Sequence, residues 1–582
     1  MREGLARQLR PDRSRLSAMG IDQASFCCDN SNVDTDNIFG KTMNHSSPGG
    51  FPMTIGTQLH RARLSSHYDT IVIGSGLGGL SAACILAKAG HKVLVLERHY
   101  TAGGFTHTFK RKGYEWDVGV HYIGDVHRPH TAIRRMFDYI TDGKLQWAKM
   151  PPVYDTIYLG YESFDFVEGE KAFLAQMLIA FPKEEAALKS YLKLIKDVTR
   201  SAGSHYALKI CPASLAQILT PFVTRFFGSY AQQTTRDVLE SLTRDKKLQA
   251  VLAGQWGDYG LPPGQSSFAM HAMVAKHYLN GASYPVGGAS RIGESIAEVI
   301  AQHGGEIVTS AEVEEILCQG QKAIGVRLAK GTSLSAKRVL SAVGARNTFL
   351  RLLPRQHPTR SDYEERLPAL PASLAHVCLY LGLKSDLADL KVPSSNLWIY
   401  QDENHDKVLK SLDGEYSGKF PLVYISFPSA KDPTWSERYP GKSTIEMVVP
   451  APFHWFKKWQ DKPWQKRGHD YQDLKSDMTQ KLLEILFEKL PQLRDKIHYT
   501  ELSTPLSTRH FSNYQGGEIY GLVHTPNRFS QSWLRADTPI RNLFLTGQDI
   551  VTCGIGGALT AGALSALRIL GPFRGRHLWR LF

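Results

Sequence analysis

Thr70-Ile71-Val72-Ile73-Gly74-Ser75-Gly76-Leu77-Gly78-Gly79 places a β-branched run directly before three glycines at G-x-G-x-x-G spacing. The run predicts a buried parallel strand, and the glycines are typical of a turn that opens a helix. A second apolar run, residues 92–96, ends in Glu97, which lies 23 residues after Gly74. This order of strand, turn, helix, strand and acid predicts a Rossmann-type unit that binds a dinucleotide.

Each residue of this motif has a physical role. Gly74 permits the tight turn, Gly76 lets the backbone approach a pyrophosphate, and Gly79 lets the helix pack on the strand. The helix N-terminus offers free N–H groups to the phosphates. Glu97 can accept hydrogen bonds from ribose hydroxyls, and its charge disfavours the additional phosphate of NADP at this site.

A glycine doublet, Gly103-Gly104, follows the acid. We interpret it as favouring FAD, because the chain of a two-domain FAD protein passes very close to the flavin side of the pyrophosphate. Dehydrogenases that bind NAD have no such requirement. The expected cofactor of this unit is therefore FAD.

The far part of the chain is predicted to complete the cofactor site. Residues 542–546 predict another buried strand, which is followed by Gly547 and Asp549. We expect Asp549 to hold the ribityl chain of FAD. Gly556 lies where a helix of small residues opens, and the N-terminus of that helix is expected to face the negative charge of reduced flavin.

A third α/β piece lies between these two, where Val313 is expected to contact adenine through its backbone. The sequence thus predicts an α/β fold with a Rossmann-type FAD-binding domain and an interleaved α+β substrate domain. The first domain is expected to comprise three discontinuous segments, residues 66–125, 281–350 and 506–571. The second is expected to comprise residues 126–280 and 351–505.

Composition narrows the functional classes. The 582 residues are 42% hydrophobic and 21% charged, which is ordinary for a folded chain and excludes a wholly disordered one. The net charge of +14 suits an anionic membrane surface, and no recognisable nucleic-acid module accompanies it. The seven cysteines show no spacing typical of metal ligands or of a disulfide framework. No hydrolase, phosphate-loop or zinc-protease motif occurs, so we expect no bound metal. Since no nucleic-acid module is recognisable, we also expect no nucleic-acid partner.

Three further stretches carry a family resemblance. They are Asp117-Val118-Gly119-Val120-His121-Tyr122-Ile123-Gly124, Phe427-Pro428-Ser429-Ala430-Lys431-Asp432-Pro433-Thr434-Trp435 and Leu545-Thr546-Gly547-Gln548-Asp549. With them the chain resembles the retinol saturase and carotenoid isomerase family of FAD-dependent, phytoene-desaturase-like oxidoreductases. The resemblance implies a lipophilic polyene substrate, a retinoid or a carotenoid, whose double bond is saturated, isomerised or desaturated. It also leaves NAD or NADP open as the electron donor.

Candidate residues for the chemistry are His121 and Tyr122, which are expected to contact flavin or substrate. Either is a candidate proton donor, and buried scaffolding is the alternative reading of the histidine. Lys431-Asp432 is predicted to be an exposed ion pair on a turn. A flavin-fold protein that binds a lipid without turnover is an alternative from a different functional class.

The segment from Val198 to Arg236 contains no Asp or Glu. Its apolar runs with basic fringes (Arg200, Lys209, Arg225 and Arg236) predict short amphipathic helices, broken at Pro212 and Pro221. Such helices suit the interface of a membrane, and an ordinary helical lid is the alternative. We therefore expect peripheral membrane association, on the cytoplasmic face or at the endoplasmic reticulum.

Residues 1–66 are rich in Ser, Asn, Arg and Gly and are predicted to form a disordered extension. An organelle transit peptide is the alternative. The segment has no apolar core with a small-residue cleavage site, so we predict no secretory signal peptide.

Overall fold

The structure of the chain is a computed structural model that describes residues 54–582. The prediction of a disordered extension lies outside the described residues up to position 53. It is wrong for the last part of that segment, because Thr57–Gln58 forms a strand that pairs with Glu306–Thr309. Two large sheets dominate the described part, together with a small three-stranded sheet and a β-hairpin.

The first large sheet has eight strands. Its central strands pair in parallel, and the glycine-rich motif follows the strand His67–Ile73 at the middle of the sheet. An antiparallel hairpin extends one edge. The strands in spatial order are Thr57–Gln58, Glu306–Thr309, Val93–Leu96, His67–Ile73, Ser333–Ser341, Lys322–Leu328 and Val313–Gln319, with Leu543–Leu545 also paired to Ser333–Ser341.

The second large sheet has seven strands and is antiparallel except for one parallel pair. Its strands in spatial order are Ile497–Ser503, His376–Leu383, Ser443–Pro450, Leu422–Ser426, Asn396–Tyr400, Val153–Leu159 and Glu162–Val167. The small sheet comprises Ile123–Gly124, Ala282–Pro285 and Trp147–Lys149, and the hairpin comprises Thr108–Arg111 and Tyr114–Asp117.

Helices cover both sheets. The α-helices are Leu77–Lys88, Ala132–Thr141, Glu170–Ala180, Glu185–Leu208, Ala213–Val223, Arg225–Ala231, Thr235–Leu242, Lys246–Leu252, Phe268–Tyr278, Ser290–Gln302, Ala345–Asn347, Pro358–Arg366, His405–Lys410, Pro428–Lys431, Trp435–Arg438, His469–Lys489, Pro505–Ser512, Pro526–Ser530 and Gly554–Arg574. A π-helical turn lies at Thr348–Leu352, and short 3-10 helices lie at Leu59–Arg61, Gly104–Thr106, Trp256–Asp258, Leu367–Ala369, Phe453–Trp459, Pro491–Leu493 and Arg576–Leu581.

The helix Gly554–Arg574 is long and apolar enough, by length and composition, to cross a membrane. In this fold 61% of its most apolar window is buried. Its partner is the helix Leu77–Lys88, which it meets along a face of small residues. Gly562 shows how closely they pack, because a Cβ there would lie 1.8 Å from Oγ of Ser81. Close packing inside the protein therefore accounts for the apolar character of this helix.

The segment from 198 to 236 differs from its prediction in two ways. Pro221 does not break a helix but lies inside Ala213–Val223, near its end. The proline removes the backbone donor to the carbonyl four residues earlier, that of Gln217, and it does so in the last turn of the helix. Lys209 is not part of a basic fringe, because it is buried and donates to the carbonyl of Gln531.

Candidate functional site

One cavity of about 1630 Å³ connects the two large sheets. It is larger than the roughly 300–1,000 Å³ of a typical site for one small ligand. Its walls include the glycine-rich turn at one end and aromatic side chains of the second sheet at the other. The volume is therefore sufficient for a dinucleotide and a second ligand.

The glycine-rich end is made mainly of backbone. Gly74 has φ +93°, a left-handed conformation that glycine adopts without strain. A Cβ at Gly79 would lie 2.2 Å from the carbonyl oxygen of Gly74, so helix and strand require glycine there. Gly76 lines the cavity and has no atom within 4 Å of its Cβ position, so a side chain there would project into open space.

The doublet Gly103-Gly104 crosses this turn. A Cβ at Gly104 would lie 2.8 Å from Cα of Gly76, and Gly104 lines the cavity. Gly103 has φ +119° and does not line it. The chain therefore passes directly against the glycine-rich turn at Gly104, whereas Gly103 supplies only the conformation of the bend.

Glu97 lies at the same end and lines the cavity. Its Oε2 accepts hydrogen bonds from the backbone N–H (2.9 Å) and the hydroxyl (2.7 Å) of Ser75. Its Oε1 accepts from the backbone N–H of His99 at 2.8 Å. These donors fix the carboxylate at the end of its strand, and a carboxylate oxygen has further capacity to accept from a diol. Val313 lines the same cavity, and its contact with adenine stays a prediction.

The far part of the chain closes the opposite wall. Gly547 and Gly556 both line the cavity, and the N-cap residue Cys553 provides no side-chain cap to the helix Gly554–Arg574. Its N-terminal N–H groups therefore face the cavity without a side-chain acceptor.

Asp549 is the third predicted residue of this part of the chain. Its carboxylate does not line the cavity, because Oδ2 accepts from the N–H of Ala345 at 2.8 Å and Oδ1 from the N–H of Leu522 at 3.0 Å. The acid ties two loops together behind the wall. The contact of Asp549 with the ribityl chain stays a prediction.

These features fit FAD. Two helix N-termini without side-chain caps, Leu77–Lys88 and Gly554–Arg574, open on the same cavity. Open space beside Gly76 leaves room for a pyrophosphate, and Glu97 lies where a ribose acceptor belongs.

The opposite end is made of side chains. Tyr122 is buried, stacks on Tyr278 with ring centroids 4.2 Å apart, and directs its hydroxyl between two acids. The hydroxyl lies 2.9 Å from Oδ2 of Asp155 and 3.2 Å from Oδ2 of Asp258. Asp258 lines the cavity, whereas Asp155 is fully buried behind it. The aromatic wall also includes Trp398, whose ring centroid lies 4.5 Å from that of Tyr424 on the neighbouring strand.

Lys431 is not in an exposed ion pair, and that prediction is wrong. The side chain is only 7% exposed and donates to Oγ of Ser426 (2.7 Å), to the carbonyl of His121 (2.9 Å) and to Oδ1 of Asn396. Burial lowers the pKa of the lysine to about 7. Its neighbour Asp432 is also buried and pairs with Arg438.

His121 lines the cavity above this lysine. Its Nδ1 lies 2.9 Å from Oε2 of Glu446, and neither atom has another hydrogen-bond partner among residues 54–582. Burial lowers the pKa of His121 to about 4 and raises that of Glu446 to about 8. A neutral glutamic acid that donates to a neutral imidazole therefore satisfies both atoms.

Sequence reasoning missed Asp155, Asp258 and Glu446. Each lies in an unremarkable local pattern, and each becomes significant only because the fold buries it beside another acid or a histidine. One signal was present in the sequence, because Asp258 is an isolated acid between aromatic and glycine residues. It belongs to no known motif, so its role could not be predicted.

The comparisons with known proteins agree with this geometry. A sequence profile described as flavin containing amine oxidoreductase matches residues 77–570. The all-trans-retinol 13,14-reductase of Danio rerio is 38% identical over 523 residues, which cover 87% of this chain and 86% of that protein. An inactive all-trans-retinol 13,14-reductase of the same species is 32% identical over 525 residues, with 86% and 85% coverage.

Two further matches are more distant. The chloroplastic prolycopene isomerase 1 of an Oncidium hybrid cultivar is 24% identical over 533 residues, which cover 88% of this chain and 86% of that protein. The solved structure of wild-type putrescine oxidase bound to putrescine superimposes with a TM-score of 0.57 at 16% identity, covering 87% of this chain and 99% of that one. The α/β architecture with a dinucleotide-type sheet is therefore confirmed.

Proposed function

The chain belongs to the family of flavin containing amine oxidoreductases, and from this premise we propose that it saturates one C=C bond of a retinol-like polyene with FAD. The family resemblance predicted from the sequence is confirmed. The observation that carries the substrate proposal is the continuous cavity, because it joins the backbone-built cofactor end to an aromatic slot. A flat conjugated chain suits such a slot.

The residues that would hold FAD are the turn at Gly74 and Gly76, the crossing chain at Gly104, the acceptor Glu97 and the wall at Gly547 and Gly556. When bound and reduced, the flavin supplies two electrons and one hydrogen to the polyene. The protein orients the polyene, excludes water and holds a proton near the second carbon.

The experiment uses single turnovers without oxygen. Purified protein with pre-reduced flavin is mixed with all-trans-retinol or with a carotenoid, and the product is analysed by mass and chromatography. A gain of two hydrogens supports saturation, whereas an unchanged mass at a new retention time would indicate isomerisation. A loss of two hydrogens with oxidised flavin would indicate desaturation, and bound flavin without any product would indicate a binding protein.

The proposed source of electrons is NADH or NADPH. Anaerobic mixing of oxidised holoprotein with each nicotinamide tests this directly, because flavin reduction bleaches its visible absorbance. If neither reduces the flavin while dithionite does, the electrons must come from a different donor.

We also propose peripheral membrane contact through the helices Ala213–Val223 and Arg225–Ala231. They expose large apolar side chains, with Phe222 80% and Ile218 65% accessible. Of the basic residues in the segment, Lys209 is buried and Arg236 pairs with Asp406. Apolar insertion therefore dominates this proposed contact, and electrostatic attraction contributes less.

Flotation with vesicles tests the proposal. Wild-type protein should float with phosphatidylcholine vesicles, and added phosphatidylserine or salt should change the floated fraction little. The double variant Ile218→Ser/Phe222→Ser should stay at the bottom. Ile179→Ser, which alters another exposed side chain, is the matched control and should float normally. Equal flotation of the double variant would disprove the contact at this site.

A further inference from the structure

The hydrogen bonds around Tyr122 determine where a proton resides. A tyrosine hydroxyl has one hydrogen to donate, yet this one lies within hydrogen-bond distance of two carboxyl groups. Asp155 also accepts from Nε2 of Gln255 at 2.7 Å and from Nδ2 of Asn396 at 2.8 Å. Asp258 has Tyr122 as the sole side-chain partner of its carboxyl group among the hydrogen bonds of residues 54–582.

This asymmetry assigns the charge. Burial raises the pKa of both acids. For Asp155 this increase is partly offset, because its hydrogen-bond donors and the nearby Lys431 lower its pKa. Burial and then the proximity of Asp155 raise the pKa of Asp258 well above its ordinary range. The consistent arrangement is Asp155 ionised and Asp258 neutral. The neutral acid then donates to the Tyr122 oxygen, and Tyr122 donates to Asp155.

The location of Asp258 matters as much as its proton. It lines the cavity, and its backbone carbonyl oxygen lies 3.7 Å from Sγ of Cys553, the N-cap residue of the helix Gly554–Arg574. That helix opens on the cavity where the flavin is expected. Asp258 therefore stands between the cofactor end and the aromatic slot.

His121 is a weaker candidate for the same task. Burial lowers its pKa to about 4, so the imidazole is neutral at physiological pH. A neutral imidazole N–H is a far poorer acid than a carboxylic acid. Tyr122 is also unsuited to direct donation, because its hydroxyl is occupied between the two carboxyl groups.

We propose that Asp258 is the acid that protonates the polyene, with Tyr122 and Asp155 holding its proton in place. This inference rests on the proposed function and adds the residue that performs its proton transfer. The Asp258 O–H bond breaks, and the new C–H bond takes its electron pair from the former double bond. The two electrons of net saturation come from reduced flavin, which a reduced nicotinamide or dithionite restores. After the product leaves, water that enters the emptied cavity returns the proton to Asp258.

The first test does not depend on turnover. Infrared spectra of the holoprotein at pH 7 should contain several carbonyl bands of protonated carboxylic acids that shift in D2O, because burial also raises the pKa of Asp117 and Glu446 to about 8. One of these bands should be lost in the difference spectrum between wild type and Asp258→Asn, and the same band should be altered in Tyr122→Phe, which removes its hydrogen-bond partner. Asp389→Asn, an exposed acid away from the cavity, is the matched control and should retain the band. A set of bands unchanged in Asp258→Asn would overturn the assignment.

The second test measures single turnovers of pre-reduced protein with all-trans-retinol. Asp258→Asn should bind flavin normally and accept electrons normally, but reoxidise with the polyene about 100-fold more slowly, as is typical for loss of a general acid. Asp258→Glu keeps the acid and should recover part of the rate. An Asp258→Asn rate within about twofold of wild type would overturn the proposal. If wild type itself does not reduce retinol, the proposed function fails and this role fails with it, whereas the infrared band still locates the proton.

Discussion

The two ends of the cavity are built from different materials. At the cofactor end, Gly74, Gly76 and Gly104 present backbone and empty space. At the end with the aromatic slot, the wall consists of side chains, among them Tyr122 and Asp258, which buried groups from several strands and helices support. The shape of the cofactor end depends on a few glycines, so one added side chain there is enough to fill the space that the cofactor needs. Side-chain chemistry depends on protonation states, so an isosteric change can remove function and leave the fold intact.

The largest expected effect is at the backbone-built end. Gly76→Val should abolish stoichiometric flavin binding, because its side chain projects into the space expected for the pyrophosphate. The fold should survive, since Gly76 has φ −62° and nothing lies within 4 Å of its Cβ position. The visible flavin spectrum of the purified variant provides the measurement.

Gly414→Val is the matched control for that change. Gly414 is exposed, also has open space at its Cβ position, and lies away from the cavity. It should retain its flavin fully. A normal flavin content in Gly76→Val would show that the cofactor lies elsewhere.

The second prediction concerns the buried cation of the other end. Lys431→Met should reduce the free energy of unfolding by about 3 kcal/mol, because Ser426, Asn396 and the His121 carbonyl lose their shared donor. Chemical denaturation of the holoprotein measures this. Lys457→Met, at an exposed position, should change stability by less than about 0.5 kcal/mol. Equal stabilities would mean that the three acceptors find other donors.

A third prediction returns to the cofactor end. Glu97→Gln should weaken FAD binding roughly tenfold, because hydrogen bonds to a charged acceptor are worth about 1.5–3 kcal/mol against about 1 kcal/mol for neutral ones. Glu97→Arg should be far worse, since it places a long cation where a neutral diol belongs. Titration of apoprotein with FAD gives both affinities. Undiminished binding by the arginine variant would refute the ribose assignment.

The smallest expected effect is a pH dependence. Burial raises the pKa of Glu446 to about 8, above its unfolded value of 4.5, so the folded state binds this proton more tightly. Its contribution to stability is complete below about pH 4.5 and is lost as the pH rises through about 8. Glu446→Gln, which still offers a donor to His121, should remove this dependence.

Melting curves of the two proteins at pH 5 and pH 8 provide the comparison. The wild-type Tm should fall by about 2 °C more than that of Glu446→Gln over this interval. The difference between the proteins isolates Glu446 from Asp117, whose pKa burial also raises to about 8. Parallel changes in both proteins would mean that Glu446 is ionised in the folded state.

The two ends also differ in how far the sequence predicts them. The strands His67–Ile73 and Val93–Leu96, the turn between them and Glu97 are contiguous in the sequence, so spacing alone predicts their arrangement. Asp258 and Asp155 are 103 residues apart and meet only through tertiary structure. Lys431 was misjudged for the same reason, since a charged pair before a proline is ordinarily solvent-exposed. The two backbone donors of Asp549 belong to loops remote in sequence, so no local pattern predicts them.

The pairing of Leu543–Leu545 with Ser333–Ser341 has a consequence for biosynthesis. The helix Gly554–Arg574, which packs on Leu77–Lys88, leaves the ribosome more than 450 residues after its partner. Since domains form from the N-terminus onward during translation, the glycine-rich turn is synthesised long before the helix that forms the opposite wall of the cavity. The cofactor can therefore bind in its complete site only after translation is nearly finished. FAD then binds to completed chains, and a chain without it lacks the stabilisation that a bound ligand gives to the folded state.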